Sequence, residues 1–150
     1  MLFSSDTKVD SLRRAPLFEN LSRDELGRLA KATEDLEVET GKVLCREGET
    51  AREFFVIIDG EVEVTQDGRH IRYLRDGDFF GEIALLEDIP RTATVTAVSP
   101  LRFFVLTRQS FWAMVDSIPD VERKILRALA KRVVATSDDP TLAGAREHER

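Results

Sequence analysis

The sequence predicts a mainly β fold of the α+β class: an eight-stranded antiparallel jelly roll with helices before, within and after it. Between residues 35 and 107, apolar residues alternate with polar ones in short runs, the period of half-buried strands. Glycines preceded by an acidic or small residue recur between these runs and supply the positive φ of tight turns. The segments on either side of the roll have a helical period instead.

Two helices are predicted before the roll, between residues 9 and 33. The first ends at Pro16, whose ring cannot continue a helix. The second begins after Ser22, which forms a capping box with Glu25 three residues later. Its apolar face is predicted to contain Leu26, Leu29, Ala30 and Thr33.

Two further helices are predicted after the roll, between residues 108 and 137. The first covers residues 109–115, and Pro119 starts the second, where a missing N–H costs little. We therefore assign residues 1–137 to one domain. Residues 138–150 are polar without an apolar period, and we expect them to form a frayed tail.

Composition argues against several classes of function. The chain has 150 residues and a net charge of −6, so a non-specific grip on nucleic acid is not expected. No apolar run reaches the length of a membrane span. The one cysteine, Cys45, excludes an intrachain disulfide. His70 and His148 are the only histidines, too few for a metal site of the cupin type. We expect a cytoplasmic protein without a metal or cofactor.

The most informative segment is residues 79–95, which read FFGEIALLEDIPRTATV. Gly81 opens a short predicted helix, 81–86, whose first turn offers unpaired N–H groups to an anion. Arg91 can add a forked pair of charged donors. Glu82 would repel a bare phosphate, so the ligand should also carry hydroxyl groups that can donate to a carboxylate. A phosphate joined to a ribose has both properties.

This segment resembles the phosphate-binding cassette of cyclic-nucleotide-binding domains, and the resemblance extends over residues 12–137. It implies the same β-roll architecture. It also implies that Glu82 accepts a hydrogen bond from the ribose 2′-hydroxyl and that Arg91 pairs with the exocyclic oxygens of the cyclic phosphate. The binding residues implied in this way are Phe80, Gly81, Glu82, Ile83, Ala84, Arg91, Thr92 and Ala93.

Contacts to the base are implied at two further places. In the family, the strand that carries Ile71 and Leu74 packs against the base. The last helix resembles the long dimer helix of catabolite-activator regulators, where the position of Thr136 contacts adenine and that of Arg132 lies near the phosphate and the glutamate. Pro140 ends this helix early, so both a monomer and a dimer remain open.

The choice of nucleotide depends on Thr92. In eukaryotic cyclic-nucleotide-regulated kinases, threonine at this position is associated with cGMP. Bacterial members of the family often carry serine or threonine there and still favour cAMP. We therefore expect cAMP rather than cGMP.

The function expected from the sequence is a stand-alone cyclic-nucleotide sensor, not an enzyme, whose last helix closes over the ligand and which signals to a protein partner. Met1 as the first residue favours a stand-alone chain. Two alternatives stay open. One is a ligand-independent interaction or dimerisation module with the same fold. The other is a regulatory domain excised from a larger channel or transcription regulator, although direct contact with nucleic acid is not expected.

Overall fold

The computed structural model describes residues 5–137, and the side chains of residues 8–134. The predicted tail at residues 138–150 lies outside the described residues. Between residues 5 and 137, eight antiparallel strands form two four-stranded sheets, in the orders β1-β8-β3-β6 and β2-β7-β4-β5. The strands are β1 Thr33–Val38, β2 Val43–Cys45, β3 Glu53–Asp59, β4 Glu61–Gln66, β5 Arg69–Arg75, β6 Phe79–Phe80, β7 Thr94–Ala97 and β8 Leu101–Thr107.

Within the described residues, five α-helices accompany the sheets and confirm the predicted fold class. They are α1 Ser5–Arg14, α2 Arg23–Ala32, α3 Glu82–Glu87, α4 Arg108–Ser117 and α5 Pro119–Ser137, with a 3-10 turn at Pro16–Phe18. Helix α3 interrupts the strands between β6 and β7, as predicted. The assignment of residues 1–137 to a single domain remains a prediction.

Strand β3 connects the two halves of the apolar core. Phe54, Val56 and Ile58 belong to the apolar cluster that contains the helices. Phe55 and Ile57 belong to a second cluster inside the roll. The predicted period of two is therefore wrong for this strand, because both of its faces are covered and five successive residues are buried.

One predicted helix boundary changes, while one predicted cap is confirmed. Thr33 does not lie on the face of the second helix, because α2 ends at Ala32 and Thr33 has an extended backbone with φ −106° and ψ 149°. Its hydroxyl donates to the carbonyl of Ala30, 3.2 Å away, and its branched side chain suits the first position of a strand. The predicted capping box between Ser22 and Glu25 is confirmed, with both reciprocal hydrogen bonds present.

Candidate functional site

A cavity of about 120 Å³ lies inside the roll where α3 begins. All eight residues that the cassette implied line it, and the wall also contains Cys45, Val64, Arg72, Leu74, Val95 and Arg132. The sheet of β2, β7, β4 and β5 supplies one wall, while α3 and the segment before β7 supply the other. The other sheet contributes only Phe80 of β6, and α5 contributes Arg132.

Gly81 is required at the entrance of α3 for two reasons. Its φ is +95°, in the left-handed region that favours glycine. A Cβ atom there would lie 2.8 Å from Nη1 of Arg91 and 3.0 Å from the carbonyl oxygen of Glu53. Both the backbone turn and the close approach of Arg91 therefore depend on the missing side chain.

Arg91 is buried, with 8% of its surface exposed. Its Nη1 donates to the carbonyl oxygen of Gly81 at 2.9 Å, and Nη2 donates to that of Glu53 at 2.6 Å. The guanidinium also lies over the ring of Phe55, 5.7 Å from the centroid. Both hydrogen bonds end on neutral carbonyl groups, so they orient the guanidinium without cancelling its charge. A fixed, buried positive charge of this kind is suited to bind an anion.

Glu82 is more deeply buried, with only 2% of its surface exposed. Burial raises the pKa of its carboxyl group, and the positive charge of Arg132 opposes that rise. Nη1 of Arg132 donates to Oε1 of Glu82 at 2.6 Å. Nη2 of the same guanidinium donates to the carbonyl oxygen of Phe79 at 2.5 Å, and its Cζ lies 4.7 Å from the centroid of that residue's ring. The last helix is thereby attached to the start of α3 through one charged pair.

The strand β5 corrects one sequence expectation. Leu74 is buried and lines the cavity, but Ile71 is 38% exposed and is not among the residues that line it. Residues three apart on a strand point to opposite faces, so Ile71 and Leu74 cannot share the cavity. Arg72 faces the cavity instead, opposite Val64 of β4. Counting in steps of two from Leu74 would have found it in the sequence.

Arg72 is a charged cavity residue that sequence reasoning missed. Burial lowers the pKa of its guanidinium, and the nearby positive charge of Arg132 lowers it further, while Glu82 acts in the opposite sense. The guanidiniums of Arg72, Arg91 and Arg132 line the same cavity as the carboxylate of Glu82, and Arg132 is in direct contact with it. Thr136, also expected near the base, lies in α5 but outside the residues whose side chains are described.

Cys45 forms part of the cavity wall. It is buried, as expected for a structural thiol, and burial raises its pKa to about 11. The thiol is therefore neutral at physiological pH.

Among the residues that the structure describes, no group of three or more histidine, cysteine, aspartate or glutamate side chains could hold a metal ion. Within the same part of the chain, no helix is long and apolar enough to cross a membrane.

Comparison with known proteins identifies the family. The model of the cyclic nucleotide-binding domain matches residues 35–117, more than half of the chain. The chain belongs to the cyclic nucleotide-binding domain family. The resemblance recognised in the cassette sequence is thereby confirmed.

Three relatives illustrate the range of this similarity. The chain is 36% identical over 115 residues to a cAMP-dependent protein kinase regulatory subunit of Eremothecium gossypii, covering 76% of this chain and 25% of that protein. It is 37% identical over 123 residues to a cGMP-dependent protein kinase of Caenorhabditis briggsae, covering 77% of this chain and 16% of the kinase. The structure of cAMP-bound PfPKA-R superposes with a TM-score of 0.77 at 27% identity, covering 92% of this chain and 49% of that one. The chain thus spans at most half the length of each of these proteins.

Replacing Gly81 and Gly27 by alanine should change stability in opposite directions. Gly81→Ala introduces a side chain in the left-handed region, which costs roughly 1–2 kcal/mol, and it displaces Arg91 as well. Gly27 lies within α2, and no atom lies within 4 Å of the place that an alanine Cβ would occupy there, so Gly27→Ala should stabilise by about 1 kcal/mol. Urea denaturation measures both free energies of unfolding, and an equal effect of the two variants would contradict the role given to Gly81.

The raised pKa of Cys45 predicts a loss of stability at alkaline pH. The folded state holds the thiol at a pKa of about 11, against 9.0 for an exposed thiol. The contribution of the neutral thiol to the free energy of unfolding is therefore complete below pH 9. That contribution is lost as the pH rises towards 11, by roughly 2 kcal/mol. The parent should therefore lose more unfolding free energy than Cys45→Ala between pH 8 and pH 10.5, and parallel pH profiles of the two proteins would refute the prediction.

Proposed function

We propose that this chain binds a 3′,5′-cyclic nucleotide and acts as a regulatory domain rather than as an enzyme. The observation that carries the proposal is the buried Arg91, held by carbonyl groups so that its charge is uncancelled, beside the buried carboxylate of Glu82. A single anionic group would suit Arg91 but not Glu82. A ligand that joins a phosphate to a hydroxyl-bearing sugar suits both residues.

The proposed binding mode assigns one part of the ligand to each residue. The exocyclic phosphate oxygens accept hydrogen bonds from Arg91 and from backbone N–H groups of Glu82, Ile83 and Ala84 and of Thr92 and Ala93. The ribose 2′-hydroxyl donates to Glu82. A 2′-deoxy ligand would leave that buried carboxylate with one partner fewer, and a missing partner is costly for a buried charged group.

We propose that helix α5 reports occupancy of the cavity. Arg132 connects α5 to the carboxylate that is assigned to the ribose, so a ligand at Glu82 changes the surroundings of the charged contact between α3 and α5. If the ligand binds more tightly to one position of α5 than to another, binding shifts the equilibrium between these two conformations towards the first. The signal would then pass to a protein partner, and the similarity to a kinase regulatory subunit supports this kind of output.

Both cAMP and cGMP are candidate ligands. The sequence favours cAMP, and the similarity to cAMP-bound PfPKA-R supports it, while the similarity to a cGMP-dependent kinase supports cGMP. The proposal requires no metal and no resident cofactor. It includes a cytoplasmic location and no direct contact with nucleic acid, and it leaves the choice between monomer and dimer to experiment.

A second candidate function rests on a separate observation. Leu126, Val133 and Val134 of α5 are each at least 60% exposed, and exposed apolar groups on one helix suit a protein contact. A ligand-independent interaction module would use this helix without filling the cavity. Its melting temperature would not respond to cAMP or cGMP, whereas a nucleotide-binding domain would be stabilised by either ligand that binds.

Replacing Arg91 should remove most of the affinity for the nucleotide. Arg91→Ala should weaken cAMP binding by at least about 100-fold, because it removes a buried, charged, two-pronged donor. Arg91→Lys should be intermediate, since it keeps the charge but loses the fork. Calorimetric titration into protein that has been unfolded and refolded, to remove carried-over ligand, measures this change. Arg46→Ala, at an exposed arginine, is the control, and parental affinity in Arg91→Ala would end the site assignment.

Glu82 should determine the preference for a ribose. The parent should bind cAMP about tenfold or more tightly than 2′-deoxy-cAMP, the range expected for a hydrogen bond to a charged group. Glu82→Gln keeps the shape but not the charge, so the ratio between the two ligands should fall while Glu87→Gln, at an exposed acid on the same helix, leaves it unchanged. An unaltered ratio in Glu82→Gln would assign the 2′-hydroxyl to another residue.

A further inference from the structure

The segment just before β7 is supported by a side chain that lies outside the cavity. The pairing of β7 with β4 begins at Thr94, opposite Thr65. Thr92 and Ala93 precede this first pair and line the cavity. Beyond the pair, the side-chain amide of Gln66 donates to the carbonyl oxygen of Thr92 at 2.8 Å. Gln66 thus extends the contact between the two strands into the segment that is proposed to bind phosphate.

The position of Gln66 is fixed by the tight turn that follows it. Gln66 pairs with Arg69 across β4 and β5, so the turn between them contains only Asp67 and Gly68. Both turn residues have a positive φ, +52° and +76°, as in the hairpin turns whose twist matches that of the flanking strands. The N–H of Asp67 also donates to Oε1 of Glu47 at 3.0 Å. The side-chain amide of Gln66 is therefore attached to a well-held backbone.

Glu47 joins the same turn to the start of β7. Its side chain accepts the hydrogen bond from Asp67, and its backbone N–H donates to Oγ1 of Thr94 at 3.1 Å. The turn is therefore connected to the segment around Thr92 in two ways, through Gln66 and through Glu47. Only the contact of Gln66 reaches a peptide group that lines the cavity.

The hydrogen bond to the carbonyl of Thr92 also determines where the N–H of Ala93 points. The two groups belong to one peptide unit, which is planar and trans, so they point in opposite directions. The carbonyl points to Gln66, which is exposed and is not among the residues that line the cavity. The N–H of Ala93 therefore points away from Gln66, on the side of the cavity. A hydrogen bond accepted by the carbonyl also polarises the N–H and strengthens it as a donor.

We propose that Gln66 is a positioning residue for phosphate binding, which holds the Thr92–Ala93 peptide so that the N–H of Ala93 donates to one exocyclic oxygen. This inference rests on the proposed function. It adds a residue that lies outside the cassette and does not touch the ligand. A purely structural role would weaken the binding of every cyclic nucleotide alike, whereas a positioning role acts on one phosphate oxygen.

The test uses the two diastereomers of cyclic AMP phosphorothioate, in which sulfur replaces one or the other exocyclic oxygen. Sulfur is a weak acceptor, so the diastereomer with sulfur facing Ala93 already lacks most of this contact. Gln66→Met keeps the length of the side chain but removes the donor. In calorimetric titration it should weaken the binding of cAMP and of one diastereomer about fivefold, and that of the other by less than about twofold.

A rescue variant and a control accompany this substitution. Gln66→Lys supplies a donor of similar reach, so it should restore the parental ratio between the two diastereomers. Its added charge acts on both diastereomers alike and leaves that ratio unaffected. Gln109→Met, at an exposed glutamine of α4, is the matched control and should keep the parental affinity for all three ligands.

The amide proton of Ala93 gives a second readout. In ¹⁵N-labelled protein saturated with cAMP, this proton should resonate further downfield in the parent than in Gln66→Met, because a better-aligned hydrogen bond to the phosphate deshields it more. Gln66→Lys should return the resonance towards its parental position.

The outcomes separate this inference from the proposed function. Equal losses for both diastereomers in Gln66→Met, no loss at all, or an Ala93 proton at its parental position would each overturn the role of Gln66 and leave the nucleotide site intact. A parent that does not bind cAMP refutes the proposed function and this inference with it. A thermal melt of each variant in the absence of ligand shows that the folded state is retained.

Discussion

The hydrogen bonds of Arg91 are the constraint on which the site depends. One guanidinium joins the start of β3, through the carbonyl of Glu53, to the turn before α3, through that of Gly81. Its own backbone N–H donates to the carbonyl of Glu49, and its carbonyl accepts from the N–H of Gly48. The start of β3, the turn before α3 and the loop at residues 48–49 are thus joined by a residue whose charge is still available. The side chain that joins these segments is thus also the one that is suited to bind an anion.

The pairing of Glu82 with Arg132 adds a different kind of constraint. Burying a carboxylate without a partner is unfavourable, and an arginine with good geometry offsets that cost. Here the partner comes from the last helix, 50 residues further along the chain. The position of α5 and the ionisation of Glu82 are therefore not independent of each other. A ligand that supplies its own donor to Glu82 would act on both.

Much of the fold could be predicted from the sequence because its signals are local. The capping box at Ser22, the proline at the start of α5 and the glycine turns each depend on a few neighbouring residues. The cassette was equally visible, because its residues are contiguous. Packing between distant segments could not be predicted from the residues alone, and an example is the covered second face of β3. The approach of Arg132 to Glu82 was expected only from the resemblance of the last helix to a known dimer helix. Arg72 was missed for another reason: an arginine between apolar neighbours on a strand ordinarily faces solvent, whereas the alternation counted from Leu74 places this one inward.

Strand β3 has a consequence for how the sequence can vary. Most strands of a roll have one face towards solvent, where polar side chains interchange at little cost. The five successive residues from Phe54 to Ile58 have no such face, because alternate members support the helical layer and the interior of the roll. No position in this segment can therefore be substituted without affecting packing. Each new side chain must fit either the apolar cluster that contains the helices or the cluster inside the roll. Divergent relatives would be recognisable by an uninterrupted apolar block at this strand even where the cassette itself has changed.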